Sequence, residues 1–584
     1  MTLPNHTSFK SHFEDLLRHA LCTLSAADLD INIEFSRPKQ IDHGDYSCNL
    51  AMQLAKPLRK NPRDIATILI NAMPASPHLE KVEIAGAGFI NLFLKTASKQ
   101  QFPRIVLESG KKFGYGTFGS DKKIQVEFVS ANPTGPLHVG HGRGAAFGAS
   151  LANILTAAGF SVSREYYVND AGRQMDILAT SVWLRYLELN GQNVPFPSNG
   201  YQGEYVRDMA KLIYKAHGSN YVPQHEMLTS TVTSEIKEEG AAEILLDQLI
   251  SEAKNSLGQD YVYIHNFVLT EQLSDCRNDL MEFGVVFDEW FSELSLFEND
   301  AVPKVIALLK QNNFLYPKDG AIWFRSTDFG DEKDRVVQRE NGKFTYFASD
   351  IAYHLNKFQR GFERIINVWG ADHHGYIPRM KAAMQALTLD PTKLEIALVQ
   401  FAVLYREDVK VPMSTRSGEF VTLRELRKEV GNDAARFFYL LRKSDQHLDF
   451  DLDLAKSQNN DNPVYYVQYA HARVCSVMKQ WGENPSLLTA ADTSQLSSAA
   501  ELSLLQKLID YPEIVAVSAR DLSPHLVAFY LKELAAEFHS YYNSSRFLVP
   551  EIPIRLARLA LISSIRQVLV NGLTLLGVSA PDKM

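Results

Sequence analysis

Apolar positions along the chain change period several times, and each change marks a different kind of element. Up to about residue 112 the patterns are short. Helix spacing covers Phe13–Leu24, a β-branched run covers Ile31–Phe35, and helix spacing returns over Asn49–Leu58 before Asn61-Pro62 and over Asp64–Ala72. Val82–Leu94 then reads as a pair of short strands around Gly86 and Gly88. This is the pattern of a compact α+β unit, and the Gly- and Lys-rich Lys111–Asp121 reads as the linker that leaves it. Next, Ile124, Val126, Phe128 and Val129 form a buried-strand run, Asn132-Pro133-Thr134-Gly135-Pro136 breaks it, and helical spacing starts at Leu137. Phe160–Val168 and Ile365–Trp369 repeat the strand signal, which predicts a parallel sheet. The pattern loosens into helices and acidic loops between about 185 and 340. From about 455 onward, Leu, Ala and Ile recur at the spacing of packed amphipathic helices.

At 584 residues the chain exceeds one core and should divide into about three or four domains. With 45% hydrophobic and 22% charged residues it reads as an ordinary soluble protein, and no apolar run is expected to cross a bilayer. The opening MTLPNHTSFKSHFEDLL lacks the basic-then-apolar pattern of an export signal, so a cytoplasmic protein is expected. Cys22, Cys48, Cys276 and Cys475 show no CxxC spacing, which argues against a zinc site or a disulfide framework. The net charge of −8 is unevenly spread. Residues 1–120 hold 14 Lys+Arg against 11 Asp+Glu and residues 455–584 hold 11 of each, leaving −11 for the middle. The two ends are therefore freer to meet a polyanion than the centre is.

The densest chemistry lies in QVEFVSANPTGPLHVGHGRGAAFG, residues 125–148. Gly140, Gly142, Gly144 and Gly148 suit close approach of a ligand to a helix N-terminus, where unpaired N–H groups favour phosphate. His138 and His141, three apart, present imidazoles on one side of that start. Glu127, Ser130 and Asn132 fall at the carboxyl end of the strand, where open α/β sheets bind ligands. A rival reading takes Gly142-Arg143-Gly144 with Glu165 as a loose dinucleotide fingerprint, but histidines in the loop are not what a pyrophosphate-hugging turn requires.

His138-Val139-Gly140-His141 resembles the HIGH signature of class I aminoacyl-tRNA synthetases, and the flanking residues resemble bacterial arginyl-tRNA synthetases in particular. Lys410-Val411-Pro412-Met413-Ser414-Thr415-Arg416-Ser417 stands where that class carries KMSKS, with Thr415 in place of the second lysine. The resemblance runs end to end. It implies a multidomain α/β protein with a Rossmann-like parallel-sheet catalytic domain over 113–454, an insertion at about 185–340, an N-terminal α+β domain over 1–112 and a C-terminal all-α helical bundle over 455–584. It further implies an arginine–tRNA ligase that uses ATP with Mg2+ and holds no tightly bound metal, with L-arginine and tRNA(Arg) as partners. The chain is expected to act as a monomer, away from membranes.

Residue roles follow from the same resemblance. His138, Gly140, His141, Asp372, His374, Met413 and Ser414 are expected at ATP, with Arg416, or alternatively Lys410, supplying the cation that the missing lysine would give. A carboxylate presented to both arms of a guanidinium is its best partner. Asp350, one helical turn from Tyr346, is assigned that position, and Glu127, Ser130 and Asn132 the α-amino group. Asp372, His373 and His374 read alternatively as metal ligands, although consecutive histidines point apart. For tRNA the candidates are Phe89 and Asn91 in the N-terminal unit, Asn169 and Gln174 in the turn after the second strand, and Tyr465, Tyr469, Arg473 and Trp481 in the helical region. Several of these aromatic positions serve equally well as core.

Overall fold

The computed structural model describes residues 9–24, 31–38, 43–223, 241–411 and 421–584. Helix Phe9–Leu21 buries Phe13, Leu17 and Leu21 against an antiparallel sheet of β1 (Phe35–Ser36), β2 (Tyr46–Cys48), β3 (Leu79–Ala85) and β4 (Phe89–Leu94), in the order β1-β2-β4-β3. The Ile31–Phe35 pattern yields a strand of only two residues, because β1 is an edge that pairs solely with β2. The helix expected from Asp64 starts at Pro62, since the Asn61 side chain accepts from the Arg63 N–H and proline fits the first helical position. Lys111–Asp121 is no free linker. Phe113 is buried against Tyr511 of the C-terminal helices, with ring centroids 6.0 Å apart, and Asn571 donates to the carbonyls of Gly110 and Phe113.

The parallel sheet consists of β5 (Lys123–Glu127), β6 (Ser161–Val168), β7 (Glu289–Ser292), β11 (Arg364–Gly370) and β12 (Leu394–Val399), ordered β12-β11-β5-β6-β7. Each neighbouring pair is parallel. Successive crossovers lead outward from β5 on one side and from β11 on the other, so strand order reverses between these two, and their carboxyl ends frame the crevice where such sheets bind ligands.

The stretch from about 185 to 340 is not one insertion, because β7 within it is a sheet edge whose Trp290 stacks on Tyr166 at 4.2 Å. Before β7, helices Glu204–His217, Ala241–Leu257 and Gln259–Glu282 join Arg173–Leu189 around buried Trp183. After it comes a small antiparallel sheet of β8 (Leu315–Lys318), β9 (Ala321–Phe324) and β10 (Arg335–Gln338). A last sheet, β14-β13-β15 (Val409–Lys410, Ala402–Arg406, Leu448–Asp451), leads to the helical region.

There, helices Pro463–Trp481, Ala499–Arg520, His525–Ser544 and Ile552–Leu575 pack together. Contrary to the sequence reading, Ile552–Leu575 is long and apolar enough to cross a membrane, but 72% of its most apolar window is buried, as in the centre of a helical bundle. Its end is fastened to the sheet domain. Ser150 and Asn153 donate to the carbonyls of Leu576 and Leu575 at 3.2 Å each, and Arg436 donates to the Leu576 carbonyl at 2.9 Å.

Candidate active site

β5 ends in strained backbone. Val129 and Ser130 take φ of 67° and 41°, a region costly for a β-branched residue and kept where the surroundings enforce it. Ser130 supplies part of that enforcement, donating to Glu127 Oε1 at 2.9 Å and accepting the Tyr167 N–H of β6 at 3.1 Å. The chain then reaches helix Val139–Ala157, whose N-cap is His138. His138 Nδ1 accepts from the Gly140 N–H at 3.0 Å, and His141 Nδ1 accepts from the His138 N–H at 3.3 Å. Both Nδ1 lone pairs are used by backbone, which places each ring's proton on Nε2. Burial lowers both pKa values, that of His141 to about 3, and the rings stack at 3.7 Å. The pair is therefore neutral at pH 7, with the ring protons on Nε2.

Two of the glycines serve a different purpose from the one expected. A Cβ on Gly148 would lie 2.3 Å from the Phe128 ring, and one on Gly142 would lie 2.8 Å from the Tyr439 hydroxyl. They let the helix seat closely on strand and neighbour rather than admit a ligand. Gly142 and Gly144 also lie inside the helix, and Glu165 is fully buried, held by Arg360 at 2.6 Å and by Tyr353 at 2.5 Å. The dinucleotide reading fails on both points.

Helix Tyr346–Gln359 lines the other side of the crevice. Asp350 accepts a hydrogen bond from Tyr376 in the turn after β11. Burial, joined by the charges of Glu293 and Glu127, nevertheless pushes its pKa up to about 7. Glu127 is only 6% exposed, its Oε2 accepting from Lys357 Nζ at 2.5 Å while Oε1 accepts from Ser130. Each Glu127 oxygen thus has one protein partner, which orients the carboxylate expected at the α-amino group. Lys357 also donates to Asn367 Oδ1, and Asn367 Nδ2 lies 2.8 Å from His354 Nε2, whose ring Nδ1 meets the Asp350 carbonyl. Tyr346 is 54% exposed, and its hydroxyl lies against Gly172 rather than on Asp350. Asn132 accepts from Asn169 Nδ2 at 3.1 Å, joining the first turn to the turn after β6, while the Asn169 side-chain oxygen is buried without a partner among the described residues. Gln174 is exposed at the start of helix Arg173–Leu189.

Tyr376, Glu293 and Lys357 were missed by the sequence reading. His354 and Lys357 follow Asp350 at spacings of four and seven, a helical face on which a buried lysine signals a buried acid. Glu293 and Tyr376 carry no such local mark.

The turn after β11 places Asp372, His373 and His374 at the switch point, all exposed, with His373 Nε2 3.6 Å from Asp372 Oδ2. They do not converge as metal ligands. Lys410 is exposed at the end of β14, whereas Met413, Ser414 and Arg416 lie outside the described residues. The chain resumes hard against the histidine turn: Val139 N–H donates to Val421 O at 3.1 Å and Leu423 N–H to Leu137 O at 2.7 Å. Residues 421–423, which follow the second signature in sequence, thereby lie beside the histidine turn.

Among the tRNA candidates, Phe89 is 37% exposed beside Gly86 and Gly88. Asn91 is corrected, being 4% exposed with its side-chain oxygen bound by Ser47 at 2.7 Å. Trp481 is likewise buried, packed in the core beneath the helical region. Tyr465, Tyr469 and Arg473 form a ladder on one helix face. The tyrosine rings are 6.0 Å apart, and the Arg473 guanidinium lies 4.5 Å from the Tyr469 ring centroid. A cleft of about 710 Å3 beside Tyr465 is lined by Lys428, Asn432, Lys456 and Met584.

Comparison with known proteins bears on the whole chain. Family models match in three consecutive blocks: the arginyl tRNA synthetase N-terminal domain over residues 10–94, the catalytic domain of class I (R) tRNA synthetases over 103–449, and the DALR anticodon binding domain over 467–584. A protein of Nitrosospira multiformis named arginine–tRNA ligase is 73% identical over 100% of both chains. One of Legionella pneumophila with the same name is 51% identical over 99% of this chain and 100% of its own. The arginyl-tRNA synthetase structure of Thermus thermophilus, 23% identical, superposes with a TM-score of 0.75 over 98% of this chain and 99% of that one, which speaks to the fold. With its domains matched in order and its relatives matched along their full length, the chain belongs to the arginyl-tRNA synthetase family.

Proposed function

We propose that the chain is an arginine–tRNA ligase: it joins L-arginine to ATP as arginyl-adenylate, releasing diphosphate, and transfers the arginyl group to the 3′-terminal adenosine of tRNA(Arg), releasing AMP. The observation that carries the reading is electrostatic. Asp350 lies within the field of two buried acids, Glu293 and Glu127, with Lys357 as the buried cation paired to Glu127, and burial together with these charges pushes its pKa up to about 7. Such a crevice gains most from a cation that restores the carboxylate. A guanidinium with its fixed fork of donors suits it better than an ammonium does. Ser130 and Asn132, with the Glu127 charge behind them, receive the α-ammonium, and Tyr346 closes the mouth.

Attack of the arginine carboxylate on the α-phosphorus forms the C–O–P bond of the adenylate and breaks the bond to diphosphate. No protein nucleophile is needed, and positioning plus charge stabilisation carry the rate. The Nε2–H groups of His138 and His141 and the Gly140 backbone donate to phosphate oxygens, while Asp372 and His374 meet ribose and phosphate. Arg416, beside Met413 and Ser414, or else Lys410, neutralises the departing diphosphate, with Mg2+ arriving on ATP. Phe89 and the Tyr465–Tyr469–Arg473 ladder contact the outer corner and the anticodon side of the tRNA, and Asn169 and Gln174 its 3′ end. The work is done by a monomer in the cytoplasm.

Exchange of labelled diphosphate into ATP, run with each amino acid and with or without tRNA, tests the reading. Arginine, and no other amino acid, should support exchange, and only with tRNA present. Exchange driven by another amino acid, or tRNA binding without exchange, would overturn it.

A further inference from the structure

Helix Pro463–Trp481 carries His471 and Cys475 one turn apart, and the last residues of the chain lie along the same face. Gln468 donates to the Ser579 carbonyl at 3.0 Å, His471 Nδ1 meets the Pro581 carbonyl at 3.0 Å, and the Cys475 thiol meets Asp582 Oδ1 at 3.3 Å. Cys475 Sγ lies 3.8 Å from His471 Nε2. One ligand atom from each of His471, Cys475 and Asp582 falls within 4.8 Å of the others. We infer that His471, Cys475 and Asp582 form a zinc-binding site that clamps the C-terminal tail to this helix, apart from the adenylation crevice.

The chemistry of the three donors supports the assignment. Imidazole nitrogen, thiolate sulfur and carboxylate oxygen are the mixed set that Zn2+ accepts, and because Cys475 Sγ lies 3.8 Å from both ring nitrogens of His471, the thiol and the exposed Asp582 must swing toward Nε2 to close on one ion about 2.0–2.3 Å from each. A histidine whose Nδ1–H is held by a backbone carbonyl presents Nε2 outward, which is how ligating imidazoles are commonly oriented. Asp582 is exposed, so solvent can fill a fourth position. Arg566 acts on both His471 and Cys475. Its positive charge opposes the arriving cation, so the three donors must outweigh it. On binding, the Cys475 S–H bond breaks, a Zn–S bond forms and the proton passes to solvent. Sequence spacing missed the group because its third donor lies 107 residues further along the chain.

The test uses the full chain, stripped with a chelator and kept reduced with a phosphine, then titrated with Co2+ as a coloured stand-in for Zn2+. One ion per chain should bind with a thiolate-to-cobalt charge-transfer band that Zn2+ abolishes. Cys475→Ser should lose the band, and Asp582→Asn, an exposed change that leaves the core intact, should weaken binding at least about tenfold. Cys22→Ser, at an exposed thiol elsewhere, should leave the band unchanged. Absence of the band in the natural chain, or its survival in Cys475→Ser, overturns the site.

Discussion

Tyr376 donates its hydroxyl hydrogen to Asp350, tying the turn after β11 to the helix that precedes that strand. The bond favours the carboxylate, but burial and the charges of Glu293 and Glu127 outweigh it and bring the pKa to about 7. A guanidinium needs the ionised form. Arginine affinity should therefore fall as pH drops below about 7, approaching tenfold per pH unit, and each arginine bound there should release a proton. The Michaelis constant for arginine in diphosphate exchange, followed from about pH 8 to pH 6, measures this. Asp350→Asn should raise it about 100-fold and flatten the profile; an unchanged constant removes Asp350 from the pocket.

The same group should cost the folded chain stability. Its folded pKa lies above the unfolded value of 3.8, so the folded state binds the proton more tightly, and stability is lost as pH rises from about 4 through 7. Asp350→Asn should accordingly melt higher than the natural chain at pH 8 and close to it near pH 4.

Lys357 is fully buried and holds Glu127 at 2.5 Å. Lys357→Met leaves a carboxylate without its cation, at a cost of about 3–5 kcal/mol. Glu127→Gln on the same background should recover part of that loss. Urea unfolding of the two single variants and the double variant gives the coupling, and simple additivity would mean that the pair does not act as a unit.

The histidines should act as neutral donors. His138→Ala or His141→Ala should lower kcat about 10²-fold or more with the arginine Michaelis constant nearly intact. With His141 near pKa 3, no turnover change between pH 6 and 8 should trace to it. Equal loss in binding and rate would contradict a role at ATP.

Arg416→Ala should slow diphosphate exchange by a similar factor, because charge on the leaving group then lacks its counter-charge. Natural rates in that variant, with loss in Lys410→Ala, would move the role to Lys410.

Much of the local structure around this site is legible in the sequence. The run from Glu127 to His141 showed its strand, break and helix start because each rests on local chemistry: β-branched residues, prolines, and a helix cap three residues deep. Asp350 was legible from its helical spacing. Its tyrosine was not: Tyr346, four residues away, faces Gly172, whereas Tyr376 arrives from across a strand. Long-range pairing also decided Asn91 and Trp481, whose types suit RNA but whose positions face inward. β7 escaped notice because a four-residue edge strand inside acidic loops carries almost no periodic signal.

The fastening of Ser150, Asn153 and Arg436 to the carbonyls at the end of Ile552–Leu575 has a mechanical corollary. Helix Val139–Ala157, about 28 Å long, has the two imidazoles at one end and this bolt near the other. Any displacement of the end of Ile552–Leu575 would therefore load the same rigid rod whose opposite end carries the two imidazoles.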